Sequence, residues 1–157
     1  MNTYLLIKTI HIISSVLMVG TGFGSAFYLF FTHRIGNVRS IADVSRLVVL
    51  ADWWFTTPTV IIQPLSGLWL AHEAGWPLDT SWIALSLGLY ALAGACWLPV
   101  VWLQIRMEKM AASAATANAP LPSIYWQCAR RWEWLGYPAF IAMVVVFGLM
   151  VIKPTLG

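Results

Sequence analysis

Four long apolar stretches occupy most of this chain, at about residues 3–32, 47–71, 81–104 and 134–152. Each is long enough to cross a bilayer, which takes about 20 mostly apolar residues. Hydrocarbon offers backbone groups no water, so a spanning segment must satisfy its own hydrogen bonds. Continuous apolar runs of this length do so as helices, because barrel strands alternate lipid-facing and lumen-facing residues. The expected fold is therefore all-α: a single domain, 1–157, forming a four-transmembrane-helix bundle with short loops. Composition agrees. Hydrophobic residues make up 60% of the chain and charged residues 10%, against about 45–50% and about 25% in soluble domains. The mean hydropathy is +0.76.

The first stretch is read as a retained span. Its apolar run exceeds the 7–15 residues of a signal-peptide core, and Lys8 lies inside it. The net charge of +3 does not mark a nucleic-acid binder, because the basic residues sort by loop. Seven of the nine Lys and Arg (Arg34, Arg39, Arg46, Arg106, Lys109, Arg130, Arg131) flank the first and third loops, and only Lys8 and Lys153 fall on the other side. The positive-inside rule then puts both termini and the second loop on the outer side of the membrane. Trp53, Trp54, Trp102, Trp126, Trp132 and Trp134 gather at one interface and Trp69, Trp76 and Trp82 at the other, as aromatic anchors do. Cys96 and Cys128 match no metal spacing and suggest no disulfide. The alanine-rich loop, 107–124, is read as a linker; the alternative is that its alanines extend the third helix until Pro120 and Pro122 stop it. Gly20 and Gly24 form a GxxxG spacing that suits close helix packing or room for a flat cofactor.

Two polar patterns inside the spans carry the functional argument. In the second span Asp52, Thr56, Thr59, Gln63 and Gly67 fall at i, i+4, i+7, i+11 and i+15, one stripe of a helix. Such a stripe must face the bundle, either as polar glue around the Pro58 and Pro64 interruptions or as a functional lining. Asp52 lies near the interface and is expected to pair with Arg46, Arg130 or Arg131. In the first span sits His11, with Ser14, Ser15, Met18, Gly22 and Ser25 on its face. An ionisable group within a bilayer is a functional-site candidate by default. The alternative is a histidine that hydrogen-bonds a neighbouring helix.

A haem ligand at His11 would want a second axial group at similar depth. His33 is 22 residues on, about 33 Å along a helix, and is excluded. His72 is the first choice and Met150 the second, with Met143 nearer the middle. The competing reading of His72 is a solvated interfacial histidine. Lys8, one turn outward of His11, suits a propionate.

Tyr4-Leu-Leu-Ile-Lys-Thr-Ile-His-Ile-Ile, followed by Gly20-Thr-Gly-Phe-Gly24, resembles the first helix of a bacterial superfamily. It includes the HemJ-type protoporphyrinogen oxidases and the CopD-type copper-resistance membrane proteins. Ala51-Asp-Trp-Trp-Phe-Thr-Thr-Pro58, Gln63-Pro-Leu-Ser-Gly-Leu-Trp-Leu70 and Trp97-Leu-Pro-Val-Val-Trp-Leu-Gln-Ile-Arg106 resemble the integral membrane family catalogued as domain of unknown function 2269. The resemblance covers essentially the whole chain. It implies a haem-b-like site built on the first-helix histidine, matched by His11, with Lys8 matching the lysine that often precedes it. The chain departs from the HemJ pattern. Met18 and Val19 stand in the tryptophan region, Thr32-His33-Arg34 replaces the Pro-Arg ending, and the later intramembrane lysine has no counterpart.

The expectation is thus a haem-b-binding membrane redox or electron-transfer protein working with the quinone pool or a partner oxidoreductase, with a homo-oligomer allowed. The alternative is a non-enzymatic membrane subunit or small transporter whose polar stripe lines a path. The charge bias makes a direct prediction. A reporter fused after Gly157 will be active on the periplasmic side, and activity confined to the cytoplasm would reverse the orientation.

Overall fold

A computed structural model describes residues 2–154. Four long helices make up the described chain: α1 (Thr3–Ile35), α2 (38–73), α3 (Ser81–Thr116) and α4 (Ser123–Ile152). α1, α3 and α4 are each long and apolar enough to cross a membrane. The predicted span 47–71 falls within α2. It runs without a break from α-helical Val38–Ala51 through a π-helical turn, Asp52–Thr56, into α-helical Thr57–Glu73.

The helix ends follow from their capping residues. The Asn2 side chain accepts the Tyr4 N–H at 2.9 Å and starts α1. Gly36, at φ 75°, ends α1 in the left-handed region that glycine adopts without strain. Asn37 then caps α2 by accepting the Ser40 N–H, so the reversal takes two residues. Gly75, at φ 70°, opens the turn after α2. The π turn has a local cause. Pro58 lacks an N–H and cannot continue the α ladder; Thr57 N–H reaches back five residues to the Asp52 carbonyl.

α3 and α4 share the most extensive interface. α2 changes partner along its length. Val38–Ala51 packs chiefly on α3, whereas Thr57–Glu73 packs on α1. α1 and α4 make little direct contact, which leaves a gap between them.

Loop 107–124 departs from the linker expectation. α3 continues through Thr116 and α4 begins at Ser123, well before residue 134. Alanine has the highest helix propensity, and Met107, Ala111 and Ala114 are buried. The main core cluster lies at this arginine-rich end, called here the basic end, where Leu29, Ile41, Met107, Tyr125, Cys128 and Trp132 close against one another. Large apolar side chains elsewhere point outward from all four helices, as lipid contact requires. The opposite end is closed by Lys153, whose Nζ lies 5.9 Å and 5.8 Å from the ring centroids of Trp76 and Trp82. Gly20 and Gly24 have no atom within 4 Å of where a Cβ would stand, so they make no close helix contact within the chain.

Candidate functional site

The polar stripe of α2 faces the bundle, with Asp52, Thr56 and Thr59 buried and Gln63 and Gly67 partly so. It joins two distinct polar clusters, one in the α1–α2 seam toward the opposite end and one on the floor of a cleft toward the basic end.

The seam is centred on His11. Its Nδ1 lies 2.8 Å from Ser66 Oγ. Ser66 itself donates to the Ile62 carbonyl at 2.6 Å, so its hydroxyl proton is spent and Nδ1–H is the donor. On the other side of the ring, the Gln63 amide nitrogen donates to Nε2 at 3.2 Å. Gln63 Oε1 in turn accepts from Ser14 Oγ. The imidazole tautomer is therefore set by its partners, with hydrogen on Nδ1 and a lone pair on Nε2. Gly67 lets α2 approach; a Cβ there would come within 3.1 Å of His11 Cε1.

The other predicted site residues lie apart. Lys8 is exposed, with Nζ 6.0 Å from the Tyr4 ring centroid. The His72 side chain is 87% exposed, with Nδ1 3.9 Å from Glu73 Oε1. Met150 is exposed on the last turns of α4. Among the described residues, no hydrogen bond, ion pair or ring contact joins any two of His11, Lys8, His72 and Met150. No group of three His, Cys, Asp or Glu among them could hold a metal ion. The one ring nitrogen of His11 that could bind a metal, Nε2, is engaged by Gln63, and His11 is not among the residues that line the cavity in the gap between α1 and α4.

The second cluster lies on the part of the stripe read as polar glue or a functional lining, and adds Trp97 and Gln104 of α3, which the sequence did not single out. A cavity of about 400 Å³ opens between α1 and α4 in the half toward the basic end. Phe23 of α1 and Phe140 of α4 stack across it with centroids 5.2 Å apart. Gly22, Gly94 and Gly136, one each from α1, α3 and α4, line it. No atom lies within 4 Å of where their Cβ atoms would stand, so three helices leave the same space open. Asp52 and Thr56 of α2 and Trp97 and Gln104 of α3 line its polar part. Thr56 Oγ1 donates to Asp52 Oδ1 at 2.8 Å. Asp52 Oδ2, Gln104 Oε1 and Trp97 Nε1 are buried and have no hydrogen-bond partner. Asp52 is only 5% exposed, and no arginine pairs with it, contrary to the sequence expectation. The π turn and the core of the basic end hold it among helices, away from the surface where Arg46, Arg130 and Arg131 sit.

The seam makes a quantitative prediction. A double-mutant cycle on His11→Ala and Gln63→Ala will show a coupling of about 0.6 kcal/mol in detergent unfolding, the mean for interhelical hydrogen bonds in membranes, and no more than their maximum of about 1.7 kcal/mol. A coupling of zero would remove the bond.

The family model described as "Predicted integral membrane protein (DUF2269)" matches residues 5–154. No curated protein and no solved structure matches the chain. With apolar helices long enough to span, a polar stripe turned inward and a family match over nearly its full length, this chain belongs to the DUF2269 family of integral membrane proteins.

Proposed function

We propose that this protein is a non-enzymatic membrane subunit or small carrier that takes a lipid-soluble molecule into the cleft between α1 and α4. One observation carries the reading: three buried polar atoms without partners, Asp52 Oδ2, Gln104 Oε1 and Trp97 Nε1, belong to residues that line one mostly apolar cavity. A buried polar group left unpaired costs about 1–3 kcal/mol, more when it is charged, so three together point to a ligand that satisfies them. The rim residues Phe23, Phe27, Tyr137 and Phe140 are exposed, and the ligand enters sideways from the bilayer. In this reading the basic end is cytoplasmic, both termini are periplasmic and the membrane is the bacterial inner membrane.

The test is saturable binding of a neutral lipid-soluble probe, N-phenyl-1-naphthylamine, to the protein in nanodiscs. The expected result is saturable fluorescence enhancement that falls at least tenfold in affinity in Gly94→Phe, which fills the cavity, while thermal stability is kept. A signal that tracks lipid alone and is unchanged in Gly94→Phe would reject the cleft.

A second reading rests on a different observation. Metal-ligating histidines commonly anchor one ring N–H on a partner and turn the other nitrogen to the metal; Ser66 gives His11 such an anchor. A haem b held there by His11, with Lys8 toward a propionate, would supply one-electron transfer to the quinone pool or a partner oxidoreductase. Soret and α bands in protein purified with haem supplied, lost in His11→Ala and retained in Lys8→Ala, would support it. A folded protein without those bands would leave the first reading alone.

A further inference from the structure

Resting on the cleft reading, we propose that the ligand is a lipid-soluble amine whose ammonium group is held by Asp52. The floor of the cleft is chemically one-sided. Two of its three unpartnered atoms, Asp52 Oδ2 and Gln104 Oε1, are acceptors, and Trp97 Nε1 is the one donor. The Tyr90 hydroxyl proton goes to the Val60 carbonyl at 2.7 Å, and the neutral Gln104 amide beside Asp52 brings it no charge. Of the residues lining the cavity, Asp52 and Glu133 are acids and none is Lys, Arg or His. Three of the arginines at the basic end are engaged elsewhere. Arg34 lies 3.5 Å from the Phe30 centroid, Arg39 donates to Asn118, and Arg106 lies 4.7 Å from the Trp102 centroid.

A carboxylate in a dry cavity must be neutralised, because the cost of an isolated buried charge is several kcal/mol. Nothing in the chain does so. A proton or an ammonium group can, and the two compete for the same oxygen. Thr56 fixes Oδ1, which leaves Oδ2 free to accept. Phe27, Phe30, Tyr90, Trp97 and Trp132 line the same cavity and supply aromatic rings to it. The faces of such rings attract cations, with about 2 kcal/mol or more available when the pair is desolvated. A quinone or another carbonyl-bearing ring would leave the Asp52 carboxylate without a counter-charge. An amine brings donors and charge where both are unmatched, and its apolar body fills the open space at Gly22, Gly94 and Gly136.

The test compares two probes of one shape, 1-naphthylmethylamine and 1-naphthalenemethanol, binding to the full-length protein in nanodiscs of neutral lipid. The wild-type protein is expected to bind the amine at least tenfold more tightly than the alcohol. Asp52→Asn should remove that preference, and Asp52→Glu should keep it. A thermal unfolding transition unchanged from wild type shows that the Asp52→Asn variant still folds. Equal affinity for both probes in the wild-type protein would overturn the amine proposal and leave the cleft standing. A preference that survives Asp52→Asn would place the cation elsewhere. Binding of neither probe would overturn the cleft reading itself.

Discussion

The second helix carries Asp52, Thr56, Thr59, Gln63 and Ser66 through a medium that cannot hydrogen-bond any of them, and the bundle is organised around hiding that stripe. α1 covers its half toward the opposite end, where His11 and Ser14 meet Gln63 and Ser66. α3 covers the half toward the basic end, where Gln104 stands beside Asp52. One straight α-helix would present one face to one neighbour. The π turn at Asp52–Thr56 adds a residue between the two halves, at the point where α2 passes from α3 to α1. The cleft lies where those two packings diverge.

The packing of the two ends reflects their solvents. Lipid tails are as apolar as leucine, so burial between spanning helices gains nothing from the hydrophobic effect. The dense cluster around Met107, Ile41 and Tyr125 belongs to the end where α1, α3 and α4 run past the predicted spans. There water can drive apolar side chains together. Within the spans the contacts are small residues, hydrogen bonds and stacked rings, and a cavity can persist between α1 and α4. His33 marks the boundary, with Nε2 2.8 Å from Tyr125 Oη and the Trp126 and Trp132 rings around it.

Much of this was legible in the residues. Apolar run length fixed the four helices, and the spacing from Asp52 to Gly67 fixed which face of α2 turns inward. The partner of His11 was also within reach. Counting from the centres of the predicted spans at 1.5 Å per residue puts His11 and Ser66 both about 10 Å from the midplane, so a depth comparison across helices would have paired them. Reading each helix alone could not. The cleft was harder. Its floor comes from α2 and α3 and its walls from α1 and α4, and Gly94, Trp97 and Gln104 carry no periodic signal of their own. Asp52 was assigned to interfacial arginines because a stripe shows depth and face, but not which neighbouring helix arrives. The alanine-rich segment after residue 107 was taken for a linker because composition alone does not reveal that Met107 and Ala111 would find a core.

The account depends most on the inward turn of α2. The direct measurement is the collision rate of dissolved oxygen with nitroxide labels at Trp54→Cys and Thr59→Cys, one at a time, in bilayers, with Cys96 and Cys128 replaced by alanine. Trp54 is 71% exposed and Thr59 only 4%. The label at position 54 should therefore show the high oxygen exposure of lipid, and the label at position 59 the low exposure of a protein interior. The reverse pattern, with position 59 open to lipid and position 54 protected, would contradict the seam, the cleft and the fold that joins them.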